Sequence, residues 1–209
     1  MKTFFAVAAV AALAGSAFGQ AFSESFDSGI PATWSVVNAP GSAVSWGSST
    51  GNGDGNYTSG TGDSAIANSD SAGPGAYDTS LVTPSFVVPT IAATLSYTLN
   101  FQQFGLDPSF GNVDITTNAG ATWTTITTYS SDTPGGGLFV VGSGPSVNSS
   151  LALFAGQTAQ VRFHYFASPA SAWDWYFQVD NVAVTGIPAP AGLALAGLAG
   201  LISTRRRRA

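Results

Sequence analysis

The chain of 209 residues contains no cysteine. A disulfide scaffold and a thiolate-bound metal are both excluded, so any fold must rest on an apolar core. Charge is almost as scarce, at 8% of the residues, and its placement matters more than its amount. Lys2 stands at one end and Arg205, Arg206, Arg207 and Arg208 at the other. Arg162 is the one cation between them, facing all eleven acidic residues. A middle so acidic has no basic footprint for a phosphate backbone, which excludes nucleic acid as a partner. There is one histidine, His164, and it lies in an alternating segment. No nucleophile-elbow motif accompanies it, so a Ser-His-Asp triad has no support in the sequence. No amphipathic helical repeat runs between Phe22 and Gly186.

Plentiful instead are Gly, Ser, Thr, aromatic and β-branched residues, arranged in short alternating runs bounded by Gly, Pro, Asn and Asp. That pattern predicts an all-β domain. Candidate strands are Phe22 to Phe26, Trp34 to Val37, Ala43 to Trp46, Ser64 to Ala67, Thr94 to Phe104, Asn112 to Thr117, Thr122 to Tyr129, Ser149 to Phe154, Gln160 to Phe166 and Tyr176 to Val184. Leu95, Tyr97, Leu99 and Phe101 share one face of their strand, and Val161, Phe163 and Tyr165 share one face of theirs. One-sided strands need a second sheet to cover them, so the expected architecture is a β-sandwich. Asn118-Ala-Gly120 predicts a tight hairpin with Gly120 at positive φ. Residues Thr116 to Trp123 resemble an Asp-box hairpin; a propeller would need several copies, and there is one. Ser48 to Pro74 is rich in Gly, Ser, Asn and Asp, and reads as a long mobile surface excursion with room for one short strand. Thr133 to Gly137 reads as a further loop.

The two ends differ from this middle. Lys2 followed by an apolar run from Phe4 to Ala14 and then small residues at Ala17 and Gly19 has the form of a secretory signal peptide, a substrate for signal peptidase. The alternative is a buried N-terminal helix. At the other end, Pro188-Ala-Pro190 precedes an uncharged Gly/Ala-rich stretch and then the four arginines. The stretch is about the minimum length for a membrane helix, and the arginines would hold its end in the cytoplasm. This order of short Pro-x-Pro motif, hydrophobic span and Arg cluster resembles the PEP-CTERM sorting signal processed by exosortases, with Ala189 where the usual motif has Glu. A plain C-terminal membrane anchor is the alternative. The chain thus divides into a leader over residues 1–19, one domain over 20–186 and a sorting or anchoring segment over 187–209.

Several pieces of the middle, taken in order, resemble one family: Glu24-Ser-Phe26, Gly29 to Trp34, Asp78 to Pro84, the Asn112-to-Trp123 hairpin, and Trp175 to Val184 with Asp180-Asn-Val182. The set is similar to the choice-of-anchor J domain, akin to the cleaved-adhesin modules of bacterial surface proteases and more distantly to MAM domains. The resemblance implies a jelly-roll β-sandwich with a non-catalytic adhesion role at the cell surface or in the extracellular matrix. Modules of this general type hold a structural Ca²⁺ between first and last strands. Glu24 on the first strand and Asp180 on the last are the expected ligands, with Asp27 and Asp78 as additions. The competing reading makes these acids independent solvent-facing or turn-capping groups. Asp54 and Asp63 do not match the EF-hand spacing. Trp173, Trp175 and Tyr176 form an aromatic cluster before the last strand, either a platform for sugar rings or a cap on the core. The alternatives to adhesion are a lectin-like carbohydrate-binding module and a secreted polysaccharide hydrolase, although no acid pair is singled out.

Overall fold

The computed structural model describes residues 19–104, 109–167 and 173–187. The expected features of the leader and of the Pro188, Pro190 and Arg205–Arg208 tail lie outside the described residues. Among those described, no helix is long and apolar enough to cross a membrane.

In chain order the strands are β1 (Gly19–Glu24), β2 (Ser35–Asn38), β3 (Trp46–Ser48), β4 (Ala65–Asn68), β5 (Tyr77–Val82), β6 (Phe86–Val87), β7 (Ile91–Gln102), β8 (Ser109–Thr116), β9 (Thr124–Tyr129), β10 (Ser146–Ser150), β11 (Thr158–Ala167) and β12 (Tyr176–Ile187). Two single helical turns, α1 (Ser49–Asn52) and α2 (Ser69–Ala72), flank β4. The strands form two antiparallel sheets. The first has the order β10-β7-β12-β4-β3, with β1 also pairing β12; the second has the order β2-β5-β11-β8-β9, with β6 also pairing β11. This is the expected all-β sandwich.

Side-chain alternation decides which residues meet between the sheets. Leu95, Tyr97, Leu99 and Phe101 of β7 and Val161, Phe163 and Tyr165 of β11 are buried in one core, as their shared faces predict. Phe177 sits at its centre, with its ring 5.5–6.3 Å from those of Trp46, Phe101, Tyr129, Phe163 and Tyr165. Enclosed on all sides, such a ring contributes about 3–5 kcal/mol relative to alanine.

Two expectations need correction. The larger one concerns Ser48 to Pro74, which is not a surface excursion. It contains β4, whose four residues are all buried, and it buries Asn56, Tyr57, Thr58 and Ser64. Its polar side chains find partners inside the protein, which is how a loop-like composition packs without cost. The second concerns Ser149 to Phe154, where the strand ends at Ser150 and a 3₁₀ turn follows over Ala152–Phe154.

Candidate functional site

β12 is the spine of the first sheet. β7 pairs along one side of it; along the other, β4 pairs with Tyr176–Val179 and β1 with Val182–Gly186. Between the two partners the strand bulges. Phe177 and Val179 point into the core, and so do Val182 and Val184, so one extra residue has been inserted and Asn181 has φ of 51°. Alternation from Val179 already turns Asp180 away from the core, and it stands at the gap between the β4 pairing, which ends at Val179, and the β1 pairing, which begins at Val182. The expected antiparallel pairing of first and last strands is present, with Glu24 opposite Val182.

The gap is filled by chain 54–63. Asn56 donates from Nδ2 to Asp180 Oδ2 at 2.8 Å and to the Asp63 carbonyl at 3.3 Å. Asn181 N donates to Asp180 Oδ1 at 2.6 Å. A Cβ on Gly60 would overlap Asp180 Oδ2, and one on Gly62 would overlap Asp27 Oδ1, so the glycines let the backbone run directly over both carboxylates. Asp180 is fully buried. Burial, reinforced by the charges of Asp27 and Asp63 and opposed by the Asn56 and Asn181 hydrogen bonds, pushes its carboxyl up to about 6. At Asp63 burial acts upward too, but hydrogen bonds from Ser49, Thr50 and Ser64 outweigh it and lower the carboxyl.

Carboxylates and backbone carbonyls are the hard oxygen donors that Ca²⁺ takes. Among the described residues no three Asp, Glu or His side chains converge tightly enough to hold an ion alone. A cation here therefore needs carbonyl or amide oxygens beside Asp27 and Asp180. Glu24 borders the same region beside Asn181, with Oε1 accepting from Phe26 N at 2.8 Å. Asp78 is not brought to this group. It lies on β5 in the other sheet, where its Oδ1 is 2.8 Å from His164 Nε2.

The aromatic segment before β12 is split by burial. Tyr176 is fully buried and packs on Tyr57 and Phe139, so it offers no ring to a ligand. Trp175 is half-buried between Phe104 and Phe139, at 4.9 and 5.4 Å. Trp173 is 44% exposed. Beside them the segment after Gly137 presents Leu138, Phe139, Val140 and Val141 to solvent, Val141 at 69% exposure. Phe139 anchors this strip: its N donates to Tyr176 Oη at 3.0 Å and its ring packs on Tyr57.

A family model described as the cleaved adhesin domain matches residues 20–184. The chain belongs to the cleaved adhesin domain family. Its sandwich is similar to the K1 cleaved adhesin domain of Lys-gingipain from Porphyromonas gingivalis W83, at 20% identity and a TM-score of 0.55, covering 78% of this chain and 96% of that one. The K3 domain of the same protein gives 17% identity and a TM-score of 0.52, covering 81% and 99%. At these identities the likeness concerns the fold alone. No curated protein sequence matches the chain.

Cleaved adhesin domains are adhesion and binding modules, typically extracellular or at the cell surface. In this cleaved adhesin domain, sequence reasoning missed Asn56, Gly60 and Gly62, and set Asp63 aside on spacing. The signal available was a pair of glycines beside an acid in a polar run, but only the fold shows that they cover Asp180. The strip Leu138–Val141 was also missed. Four consecutive apolar residues after Gly135-Gly-Gly137 without alternation were its sign. Asn56-Tyr-Thr58 has the form of a glycosylation sequon, yet the Asn56 amide is buried against Asp180.

Proposed function

We propose that this protein is an exported, non-catalytic adhesion module of the cell surface or extracellular matrix, and that Leu138, Val140 and Val141 with Trp173 form its contact surface for another surface protein. The exposed apolar strip fixed on a buried aromatic cluster carries this reading. Exposed apolar groups that cluster rather than scatter mark interaction sites. The strip is mainly aliphatic, which suits a protein partner, whereas sugar stacking needs flat rings and only Trp173 offers one there. Replacing Val140 and Val141 together by Asp should abolish attachment of the purified full chain to cells of the producing organism while leaving its melting temperature within about 2 °C. Undiminished attachment by that variant would falsify the assignment of the surface.

The reading includes delivery. Residues 1–19 direct export and are removed by signal peptidase. Pro188, Pro190 and Arg205 to Arg208 frame a segment that holds the chain in the membrane until an exosortase or similar protease acts. Mass spectrometry of the mature chain tests both, with new termini expected after Ala17–Ala21 and near Pro190. A structural Ca²⁺ held by Asp180 and Asp27, with Glu24 and neighbouring carbonyls, would relieve the crowding of acids at the β1–β12 junction. Calcium should then raise the melting temperature by several degrees over the chelator-treated protein, and Asp180→Asn should remove that response. An identical midpoint with and without chelator counts against the metal.

A further inference from the structure

The outer face of the second sheet, remote from the strip and from Asp180, carries an arrangement that neither the core nor the adhesion reading uses. Along β11, Gln160, Arg162, His164 and Phe166 point away from the core that Val161, Phe163 and Tyr165 fill. Register sets Asp114, Asn112 and Phe110 of β8 beside Arg162, His164 and Phe166. On the other side β5 contributes Val82, Ser80 and Asp78. His164 and Phe166 are stacked at 4.4 Å, and Phe166 and Phe110 at 5.3 Å, both pairs 25° from parallel. At the far end the Arg162 guanidinium lies 4.5 Å from the centre of the Trp123 ring. Phe110, Trp123, Arg162, His164 and Phe166 are each partly exposed, the Arg162 and His164 side chains at 22% and 13%. A groove of about 300 Å³ opens between Ser35 and Val37 of β2, the hairpin tip at Ala119 and Gly120, Trp123 and Arg162.

We infer that this face is a binding site for an uncharged polysaccharide. Flat, partly exposed rings interleaved with fixed hydrogen-bonding groups match the two surfaces of a sugar, an apolar C–H face and a rim of hydroxyls. From Arg162 to Phe166 the row runs about 13 Å at roughly 3.3 Å per residue, and Trp123 extends it. That length fits a stretch of chain rather than one terminal sugar.

Charge selects the class. Arg162 Nε is 2.7 Å from Asp114 Oδ2, so the cation is already neutralised by a buried carboxylate. Asp78 adds a further negative charge at the edge. A uronate or sulfated polymer would meet no uncompensated positive group here and an acidic molecule around it.

The test is affinity electrophoresis of the full chain through gels holding soluble neutral glucan, mannan, galactan or xylan, with polygalacturonate as the anionic comparison. Retardation by at least one neutral polymer is expected. Trp123→Ala should weaken it about tenfold, the loss of one stacking contact, and Trp123→Phe should keep most of it. Phe166→Ser should weaken it as well, and it serves alone if Trp123→Ala does not fold. The Val140 and Val141 double variant should bind the polysaccharide normally, which separates this site from the adhesion strip. Three results overturn the inference: no neutral polymer retards the chain, polygalacturonate retards it more strongly, or Phe166→Ser and folded Trp123→Ala both migrate like the parent.

Discussion

His164 shows how much a single side chain takes from its setting. Burial lowers its imidazole below the usual value, the Asp78 hydrogen bond raises it, the Arg162 charge lowers it and the Asp114 charge raises it; the net direction is down. The unfolded chain then binds a proton in a pH range where the folded chain does not, so stability is complete above the ordinary value near 6.5 and falls as pH drops below it. The raised Asp180 carboxyl acts in the opposite sense over part of this range, so the His164 share is read by difference: from pH 7.5 to 5 the urea midpoint of the parent should fall relative to that of His164→Asn, and parallel profiles would contradict it. No serine hydroxyl is hydrogen-bonded to His164 among the described residues. Its Asp78 contact is thus explained by pairing across β5 and β11 without invoking a nucleophile. Gly60 makes the converse point, because there the absence of a side chain is what the site requires. Gly60→Ala drives a methyl into the Asp180 carboxylate, with an expected cost of about 1–3 kcal/mol from overpacking and loss of any calcium response. Thermal melts with calcium and with chelator read both effects.

The hairpin joining β8 and β9 is held by its own polar residues rather than by the core. Asn118 Oδ1 accepts from Thr116 Oγ1 and from Thr122 N at 2.8 and 2.9 Å, and its Nδ2 donates to Thr122 Oγ1 at 2.8 Å. Gly120 has φ of 87°, as the tight turn requires, and Ala119 joins it at 55°. Asn118→Ala should cost about 1–2 kcal/mol by denaturant unfolding, and Ala119→Gly should cost nothing or stabilise slightly, since it removes a strained backbone position. This element was legible in the sequence because its chemistry is local, as were β7, β11 and β12, whose buried faces alternate cleanly. β5 was not read as a strand: Tyr77, Thr79 and Leu81 alternate, but Ser80 and Val82 are buried too, so the period is blurred. β4 was read as a strand, while its flanks were read as excursion, because residues that bury through hydrogen bonds have the composition of a loop. The pairing of the first strand with the last followed from strand order. Asp63 and Asn56 did not, since nothing in composition shows that chain 54–63 folds back over the outward face of β12.

The molecule is better described as two sheets plus a polar third layer than as a bare sandwich. The outward residues of β7 and β12 would ordinarily meet water, yet Thr98, Asn100, Gln102, Gln178 and Asp180 are all buried. Chain 54–63 and chain 133–144 cover them, and the contacts are directed bonds rather than apolar packing. Gln178 accepts from Tyr57 N at 2.6 Å and donates to the Gly55 carbonyl and Ser64 Oγ, both at 2.8 Å. Asn100 Nδ2 donates to the Tyr57 carbonyl at 2.9 Å and to the Gly137 carbonyl at 3.1 Å, tying the two covering segments to one side chain. That amide thus helps to link the β1–β12 junction to the exposed apolar strip, because chain 54–63 overlies Asp180 and Gly137 leads into Leu138–Val141. Asn100→Leu keeps the volume and removes the donor, leaving the Tyr57 and Gly137 carbonyls with only the longer 3.4 Å contacts from Ser143 Oγ and Tyr176 Oη, at an expected cost of about 1–3 kcal/mol. The two-sheet core does not depend on Asn100, so the damage should be confined. Limited proteolysis should cut first within residues 54–63 and 134–143, while amide exchange in β7 and β11 stays slow. Phe177→Ala, of similar or larger total cost, should instead speed exchange throughout both sheets. If Asn100→Leu loosened the sheets as broadly as Phe177→Ala does, the covering layer would be part of the core's cooperative unit, and the adhesion strip could not be tuned without unfolding the sandwich beneath it.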